Sequence, residues 1–136
     1  MSAIIDFQSF RLMDLKYNLE TASNKDEEVD KSALRINVGT TDVSSEGVAQ
    51  LELEVNVSDA GENYDRDIKI IVMGLFKITE QDDYKSEDIE RILKVNGTAI
   101  MMPFVRSFIS DITSFDDSTD HILLPTMNVH AMFDSN

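Results

Sequence analysis

The hydrophobic period of this chain changes near residue 80, and that change restricts the possible folds more than any other feature. Before it, apolar residues alternate with polar residues, which is the pattern of a β-strand with one buried face. After it, apolar residues recur every three or four positions, as on an α-helix with one buried face. Strands followed by helices predict a two-layer α+β domain, in which an antiparallel sheet has the C-terminal helices packed on one face.

Four segments before this change have the alternation of strands, and the polar stretches between them predict loops. The predicted strands are residues 7–19, 34–38, 51–57 and 64–79. The predicted loops are residues 21–31, 39–47 and 58–63. The last loop is short, so we expect it to be the turn of a hairpin that joins the third and fourth strands.

The first predicted strand contains a fault in its alternation. Its apolar residues are Phe10 and Leu12 on one parity, then Leu15, Tyr17 and Leu19 on the other. Because side chains change face at every residue of a strand, a switch of parity requires one extra residue. The fault therefore predicts a β-bulge near Met13 and Asp14.

The fourth predicted strand is apolar on both faces in its second half. Ile71, Met73 and Leu75 share one parity, and the other parity carries Val72 and Phe76. A strand that is buried on both faces needs a layer of structure on each side. We expect a second copy of the chain to supply the layer that the predicted helices do not.

Helices are predicted after residue 80. Ser86 is the predicted N-cap of a short helix, because acidic residues follow it in the first turn. A break or bend is predicted at Asn96 and Gly97. Two further helices are predicted at residues 98–114 and 128–133. Pro103 predicts a kink or a start within the longer one, since proline lacks the backbone N–H and clashes with the preceding turn.

The chain has 136 residues and is strongly acidic, with 26 Asp and Glu side chains against 12 Lys and Arg and a formal charge of −14. Its length fits one domain spanning residues 1–136. The negative field repels phosphate backbones and anionic lipids, so neither a nucleic-acid partner nor membrane insertion is expected. The first residues lack the basic and apolar regions of a secretion signal. We therefore expect a cytoplasmic protein.

No group of residues has the spacing of a catalytic or metal site. Cysteine is absent, which excludes disulfides, thiolate metal ligands and cysteine nucleophiles. Asp116, Asp117 and Asp120 beside His121 do not match a calcium loop, and we expect them to lie in a solvated loop. The five glycines are isolated, so no phosphate-binding loop is predicted. We expect no enzymatic activity, no metal and no cofactor.

Two features leave alternatives open. Methionines lie in or beside the predicted helices, at Met101, Met102, Met127 and Met132. They either fill gaps in the core, which the sequence alone favours, or line a surface that accepts varied apolar shapes. Glu52 and Glu54 share one face of a predicted strand, which is either a plain solvent face or a docking face for a basic partner.

The second half of the chain resembles the SecB family of protein-export chaperones. The resemblance starts with Gly-Leu-Phe-Lys-Ile at residues 74–78 and continues with Asn-Gly-Thr-Ala-Ile-Met-Met-Pro-Phe-Val-Arg at residues 96–106. Pro103, Phe104 and Arg106 correspond to the family's Pro-Tyr-x-Arg helix signature, with phenylalanine in place of tyrosine. The stretch at residues 124–133 is similar to the family's proline-containing segment and closing helix.

The resemblance implies a four-stranded antiparallel sheet, a homo-oligomer built as a dimer of dimers, and ATP-independent binding of unfolded polypeptide clients in an apolar groove. The groove residues that it indicates are Met101, Phe104, Val105, Phe108, Met127, Met132 and Phe133. It also implies that an acidic sheet face, here with Glu52 and Glu54, docks a SecA-like motor. Well-studied members carry a cysteine-containing zinc tail for that motor, whereas this chain has no cysteine.

An alternative function from a different class is a non-enzymatic adaptor. Such a protein would bind one specific folded partner, for example of a toxin–antitoxin system, through the acidic face that contains Glu52 and Glu54. Reversing the charge of that face should abolish adaptor binding and leave any binding of unfolded clients intact. The two hypotheses therefore place their sites on different surfaces of the same domain.

Overall fold

The computed structural model describes residues 4–21, 33–79, 81–115, 119–125 and 129–134 and confirms the predicted α+β order, with strands before helices. The strands are β1 (Ile5–Thr21), β2 (Ala33–Thr40), β3 (Val48–Ala60) and β4 (Tyr64–Ile78), and the helices are α1 (Ser86–Thr113) and α2 (Val129–Asp134). A 3-10 turn, Gln81–Asp83, lies between β4 and α1. Most of the predicted loop at residues 21–31 lies outside the described residues.

The four strands form one antiparallel sheet in the order β1-β4-β3-β2, which confirms the four-stranded sheet that the family resemblance implies. β3 and β4 are central and are joined by a tight turn, in which the Gly61 N–H donates to the Tyr64 carbonyl at 3.0 Å. β1 and β2 are the two edges, so the chain crosses from one edge of the sheet to the other between them. β1 pairs over its whole length with β4, the last strand in sequence.

α1 packs on one face of this sheet, and the alternation of β3 and β4 reflects that packing. The buried residues of β3 are Ala49, Leu51, Leu53, Val55 and Val57, and those of β4 include Ile68, Ile70, Val72 and Phe76. From α1 the core receives Ile89, Leu93, Met101, Met102, Val105 and Ile109. We call this face of the sheet the helix side and the opposite face the outer side.

α1 is one continuous helix of 28 residues, so of the predicted break or bend at Asn96 and Gly97 the break is wrong. Gly97 is buried where the helix meets the sheet, and a Cβ atom at this position would stand only 2.8 Å from Cδ2 of Leu51. The glycine therefore serves close packing and does not end the helix. α1 also runs through Pro103 without a new start, and the N-cap position is held by Lys85, one residue before the predicted one.

α2 corresponds to the predicted last helix at residues 128–133 and is only 6 residues long. Its Phe133 lies beside the first turns of α1, where it borders a depression of about 290 Å³ together with Glu87, Arg91 and Lys94. Neither helix in the described part of the chain is both long and apolar enough to cross a membrane.

Candidate functional site

The apolar residues of β1 that pair with β4 all lie on the helix side of the sheet, although their positions in the sequence switch parity. Two register shifts against β4 produce this arrangement, one between Phe7 and Ser9 and one between Leu12 and Asp14. The second shift confirms the bulge predicted near Met13, and the first is an additional one. Each extra residue reverses the parity, so the next apolar residue returns to the same face. The resulting cross-strand pairs are Phe10–Gly74, Leu12–Val72, Leu15–Ile70, Tyr17–Ile68 and Leu19–Arg66.

Five large side chains of β1 remain uncovered by the described part of the chain. We call them the apolar row: Phe10, Leu12, Leu15, Tyr17 and Leu19. They are 36–44% exposed, whereas the five buried residues of β3 on the same side of the sheet are 0–6% exposed because α1 lies over them. A continuous exposed apolar patch of this kind is typical of an interaction surface.

Phe104 is the point at which α1 meets the apolar row. Its ring centroid lies 5.1 Å from that of Phe10 and 6.0 Å from that of Phe7. Phe7 in turn lies 5.5 Å from Phe76 in the core. Phe104 is nevertheless 48% exposed. One part of its ring is thus held by neighbouring aromatic rings, at separations typical of stabilising aromatic pairs, and the rest is available to a ligand.

A buried arginine lies at the opposite end of the apolar row. The side chain of Arg66, the cross-strand partner of Leu19, is fully buried. Its guanidinium donates two hydrogen bonds to the Asp59 carboxylate, at 2.8 Å from Nε and 2.6 Å from Nη2. These bonds raise the pKa of Arg66 although its burial acts in the opposite direction, and the nearby Tyr17 of the apolar row raises it further. The cation is therefore stable in its buried position.

The residues predicted to line a client groove are distributed over different surroundings. Met101 and Val105 are fully buried in the core between α1 and the sheet, and Phe108 is half-buried. Phe104 is the one among the described α1 members of this set that is largely exposed. Met132 and Phe133 are half-buried on α2, and Met127 lies outside the described residues.

The structure does not bring Phe133 next to Phe104. Phe133 borders the first turns of α1 up to Lys94, and a rise of 1.5 Å per residue places Phe104 about 15 Å further along the helix. The predicted set therefore contains residues from at least two separate surfaces.

The apolar row is absent from the residues predicted for the groove. The signal for it was present in the sequence, because each switch of parity in β1 coincides with a bulge and keeps the apolar residues on one face. What the alternation could not indicate is the lateral position of α1, which covers β3 and leaves the row exposed.

Glu52 and Glu54 project from the outer side of β3, as their parity predicts. Glu52 is exposed, whereas Glu54 is half-buried between two partners. Asn37 donates a hydrogen bond to Glu54 at 2.8 Å, and the Lys69 ammonium lies 3.3 Å from the same carboxylate. The hydrogen bond with Asn37, followed by that with Lys69, lowers the pKa of Glu54. Glu54 is therefore an ionised group with its own local counterion.

The outer side also carries the second apolar face of β4. Ile71, Met73 and Leu75 are half-buried there, on a surface that no described residue covers as α1 covers the helix side. Met73 lies between Arg11 of β1 and Glu52 of β3 in the register of the sheet. The outer side is thus an apolar stripe with charges of both signs beside it.

No cluster of three or more His, Asp or Glu side chains that could hold a metal is found within the described ranges. Of the acidic group considered in the sequence, Asp116 and Asp117 lie outside those ranges. His121 is exposed and its Nε2 lies 2.7 Å from the Ser110 hydroxyl. This pair joins the end of α1 to the segment that follows it.

Comparison with known proteins gives matches along most of the chain. The family model SecB, described as preprotein translocase subunit SecB, matches residues 8–136. The protein-export protein SecB of Anaplasma phagocytophilum (strain HZ) is 26% identical over 107 residues, which are 78% of this chain and 67% of that protein.

A solved structure has a similar fold. The SecB-like chaperone Rv1957 of Mycobacterium tuberculosis, in complex with a ChAD peptide from the Rv1956 HigA1 antitoxin, matches with a TM-score of 0.71 over 90% of both chains. The two sequences are 13% identical, so this similarity concerns the fold alone.

Proposed function

The chain belongs to the SecB family, and we propose that it holds unfolded or non-native polypeptides, without ATP, on a surface formed by the apolar row and Phe104. The family is one of export chaperones and not of enzymes. The single observation that carries the proposal is the exposure of the apolar row on a sheet face where α1 buries the central strands β3 and β4. Burial of such side chains by a client contributes about 25 cal/mol per Å² of apolar area.

The geometry of the row fits an extended client segment. From Phe10 to Leu19 the strand advances about 26 Å at roughly 3.3 Å per residue, because the bulge leaves these residues opposite Gly74 and Arg66, eight positions apart on β4. An extended segment of about nine residues has the same length and presents alternate side chains to one face. Apolar side chains at every second client position can therefore meet the row in register, with Phe104 at one end and Tyr17 near the other.

The other predicted groove residues support this surface in different ways. Met101 and Val105 lie in the core beneath Phe104 and hold α1 against the sheet. Phe108 follows Phe104 by one helical turn, so its half-buried ring lies on the same side of α1. Client burial on this surface requires no covalent chemistry, and for that reason we propose neither catalytic residues nor a cofactor. The formal charge of −14 would keep a client complex soluble, as a cytoplasmic holding chaperone requires.

We also propose that the protein is a homo-oligomer, and specifically a dimer of dimers. Ile71, Met73 and Leu75 form an apolar stripe on the open outer side of the sheet, and a second copy would supply the layer that this stripe lacks. Light scattering after size exclusion, with and without an unfolded client, measures the assembly. A mass near four times 15.4 kDa that rises with client agrees with both proposals, and a monomer contradicts the assembly.

The client proposal is tested by delaying aggregation of reduced, unfolded α-lactalbumin, an acidic client that a negatively charged protein does not attract by charge. We expect the wild-type chain to delay aggregation at a several-fold excess. Phe104→Ser combined with Leu12→Ser should weaken client affinity by at least about tenfold, because roughly 1.4 kcal/mol of apolar burial is lost.

The matched control is Phe115→Ser, since Phe115 is 86% exposed just beyond α1 and outside the apolar row. It should leave the delay unchanged. No delay by the wild-type protein, or equal losses for the row variant and the Phe115 variant, would contradict the proposed site.

A second candidate function is favoured by the charge at Glu52 and Glu54, which border a depression of about 280 Å³ on the outer side. Through this acidic face the protein could dock one folded partner, such as a SecA-like motor or a member of a toxin–antitoxin system. Glu52 and Glu54 lie beside the apolar stripe in the register of the sheet, so such a partner would compete there with a second copy of the chain. Glu52→Lys with Glu54→Lys should abolish binding of such a partner and leave the delay of α-lactalbumin aggregation, which depends on the helix side, intact. Loss of both activities together would place them on one surface.

A further inference from the structure

Arg66 binds more than its ion-pair partner. Beyond the two bonds to Asp59, Nη1 donates to the Thr119 hydroxyl at 3.0 Å and Nη2 donates to the Asp120 carbonyl at 2.6 Å. We call residues 119–125, which follow α1, the strap. The fully buried guanidinium of a β4 residue therefore holds the first residues of the strap. A planar guanidinium with five donors suits this role, because it binds a carboxylate and a neighbouring carbonyl at the same time.

Other side chains hold the backbone of the strap at further points. The Asp120 N–H donates to the Tyr64 hydroxyl at 2.9 Å, and the Ile122 N–H donates to the Thr113 hydroxyl at 3.0 Å. The strap has no helical or strand structure in the described range. Its attachment therefore relies on bonds from side chains of β4 and α1, together with the partly buried residues Ile122 and Leu124 against the core.

Arg66 also connects the strap to the proposed client surface. In the register of the sheet it lies opposite Leu19 and diagonal to Tyr17, which contributes to raising its pKa; both are members of the apolar row. The strap therefore begins at the Tyr17 end of the row, whereas Phe104 lies at the Phe10 end. The two ends of the row are thus bounded by different elements, a helix residue at one and the strap at the other.

We propose that Arg66 is a positioning residue for client binding, which fixes the strap as an ordered wall at the Tyr17 end of the apolar row. This inference rests on the proposed client function. Client binding has a smaller entropic cost when the strap is already ordered than when the strap must become ordered during binding. In the first case the conformational entropy of the strap has already been lost on folding. Release of the strap therefore weakens binding and speeds client dissociation.

The test uses the full chain and two kinds of variant. Arg66→Lys keeps a cation for Asp59 but cannot reach carboxylate and strap together, and Tyr64→Phe removes the acceptor of the Asp120 N–H while Arg66 stays intact. Hydrogen exchange of the Ile122 amide, whose acceptor is the Thr113 hydroxyl in both variants, reports the strap, and exchange of the Val105 amide in the buried part of α1 reports global unfolding. We expect the Ile122 amide to exchange at least about tenfold faster in both variants, a loosening that reflects local opening.

Client binding is then compared by the dissociation rate of reduced α-lactalbumin. We expect dissociation to be about fivefold to tenfold faster in both variants, in line with the cost of ordering a few strap residues. The control is Leu93→Ala, which lowers stability from the first half of α1, about 30 Å along the helix from the strap-holding Thr113, and should leave the rate near that of the wild type.

Three outcomes decide the matter. A loosened strap with faster client release in both variants supports the positioning role. A loosened strap with release no faster than in Leu93→Ala overturns the role of Arg66 while the proposed function stands. If the wild-type chain binds no client, the proposed function fails, and the positioning role fails with it.

Discussion

The helix side of the sheet carries two apolar rows, one on β3 and one on β1, which differ in their exposure to solvent. On β3 the row from Ala49 to Val57 is 0–6% exposed under α1, whereas the apolar row on β1 is 36–44% exposed. Both rows alternate with polar residues, and both pair with β4. Alternating hydrophobicity thus identifies a face that prefers to be buried, and it does not say what buries it.

The position of α1 explains the difference between the two rows. Gly97 allows the helix to approach Leu51 of β3, and Gly74 of β4 leaves room for Met101, whose sulfur would lie 2.6 Å from an added Cβ. These two close contacts position α1 over the central strands β3 and β4. At the other side of the helix, the exposed ring of Phe104 forms the boundary with the apolar row.

The largest expected effect is a difference in stability loss between the same substitution made in the covered half and in the apolar row. Leu53→Ala in the covered half should lower the free energy of unfolding by about 2–5 kcal/mol, because it leaves a cavity in a packed core. Leu12→Ala, the same substitution in the apolar row, should cost less than about 1 kcal/mol, since Leu12 is already 44% exposed. Urea unfolding with linear extrapolation measures both.

Equal losses for the two leucine variants would show that the apolar row is covered in the assembled protein. A dilution series would then identify the cover, because burial by a second copy makes the unfolding midpoint depend on protein concentration.

The next effect tests the close contact between α1 and the sheet at Gly97. Gly97→Ala should destabilise the protein by about 1–3 kcal/mol, because the new Cβ would crowd Leu51 in a core without spare room. In an open helix the same change would be favourable by up to about 1 kcal/mol. Asn96→Ala, at the exposed neighbouring position, is the matched control and should be neutral or slightly stabilising. A stabilising Gly97→Ala would contradict the close approach.

A smaller effect distinguishes two buried threonines of α1. The Thr113 hydroxyl donates to the Ile109 carbonyl at 2.8 Å and accepts from the Ile122 N–H, so Thr113→Val should cost about 1–2 kcal/mol. The Thr98 hydroxyl is buried in the covered half and has no hydrogen-bond partner among the described residues. Thr98→Val keeps the shape and should be neutral or stabilising by up to about 1 kcal/mol. Thermal unfolding of both variants measures the contrast, and a destabilising Thr98→Val would reveal a bond to that hydroxyl.

The smallest effect concerns the outer side of the sheet. Asn37 and Lys69 lower the pKa of Glu54 below its ordinary value of 4.5, so ionised Glu54 favours the folded state. This contribution is present above that ordinary value and disappears as the pH falls through the lowered pKa of the folded state. Stability of the wild type relative to Glu54→Gln should therefore fall between pH 5 and about pH 3. Urea titrations at each pH measure this stability difference, and Glu52→Gln is the control for the loss of one carboxylate. A difference between the wild type and Glu54→Gln that does not change with pH would contradict a lowered pKa of Glu54.

Much of the fold could be predicted from local patterns. The alternation of residues 51–57 and the parity switch near Met13 predict strands and a bulge that the structure confirms. The helix at residues 98–114 is likewise confirmed as part of α1. The predicted break at Gly97 is wrong because glycine weakens an isolated helix but is favoured where a helix must approach a sheet closely.

The candidate site could be predicted only in part. Phe104 was found through the family resemblance and is exposed, whereas its predicted neighbours Met101 and Val105 are buried in the core. Helical periodicity places Met101, Phe104 and Val105 on neighbouring parts of the helix surface. Adjacent positions such as Phe104 and Val105 can therefore differ between surface and core. Arg66 gave no sequence signal of its role, because its partners Thr119 and Asp120 lie more than fifty residues away.

By itself the sequence determined which residues favour strand or helix and which strand faces are apolar, since these depend on periodicities of two and 3.6 residues along the chain. Only the tertiary structure decided which apolar face is covered. That choice depends on where one helix docks across a sheet wider than the helix, and on contacts such as Gly97 with Leu51 between residues distant in sequence. The uncovered remainder, the apolar row of β1 with Phe104, is what the fold leaves for a binding partner.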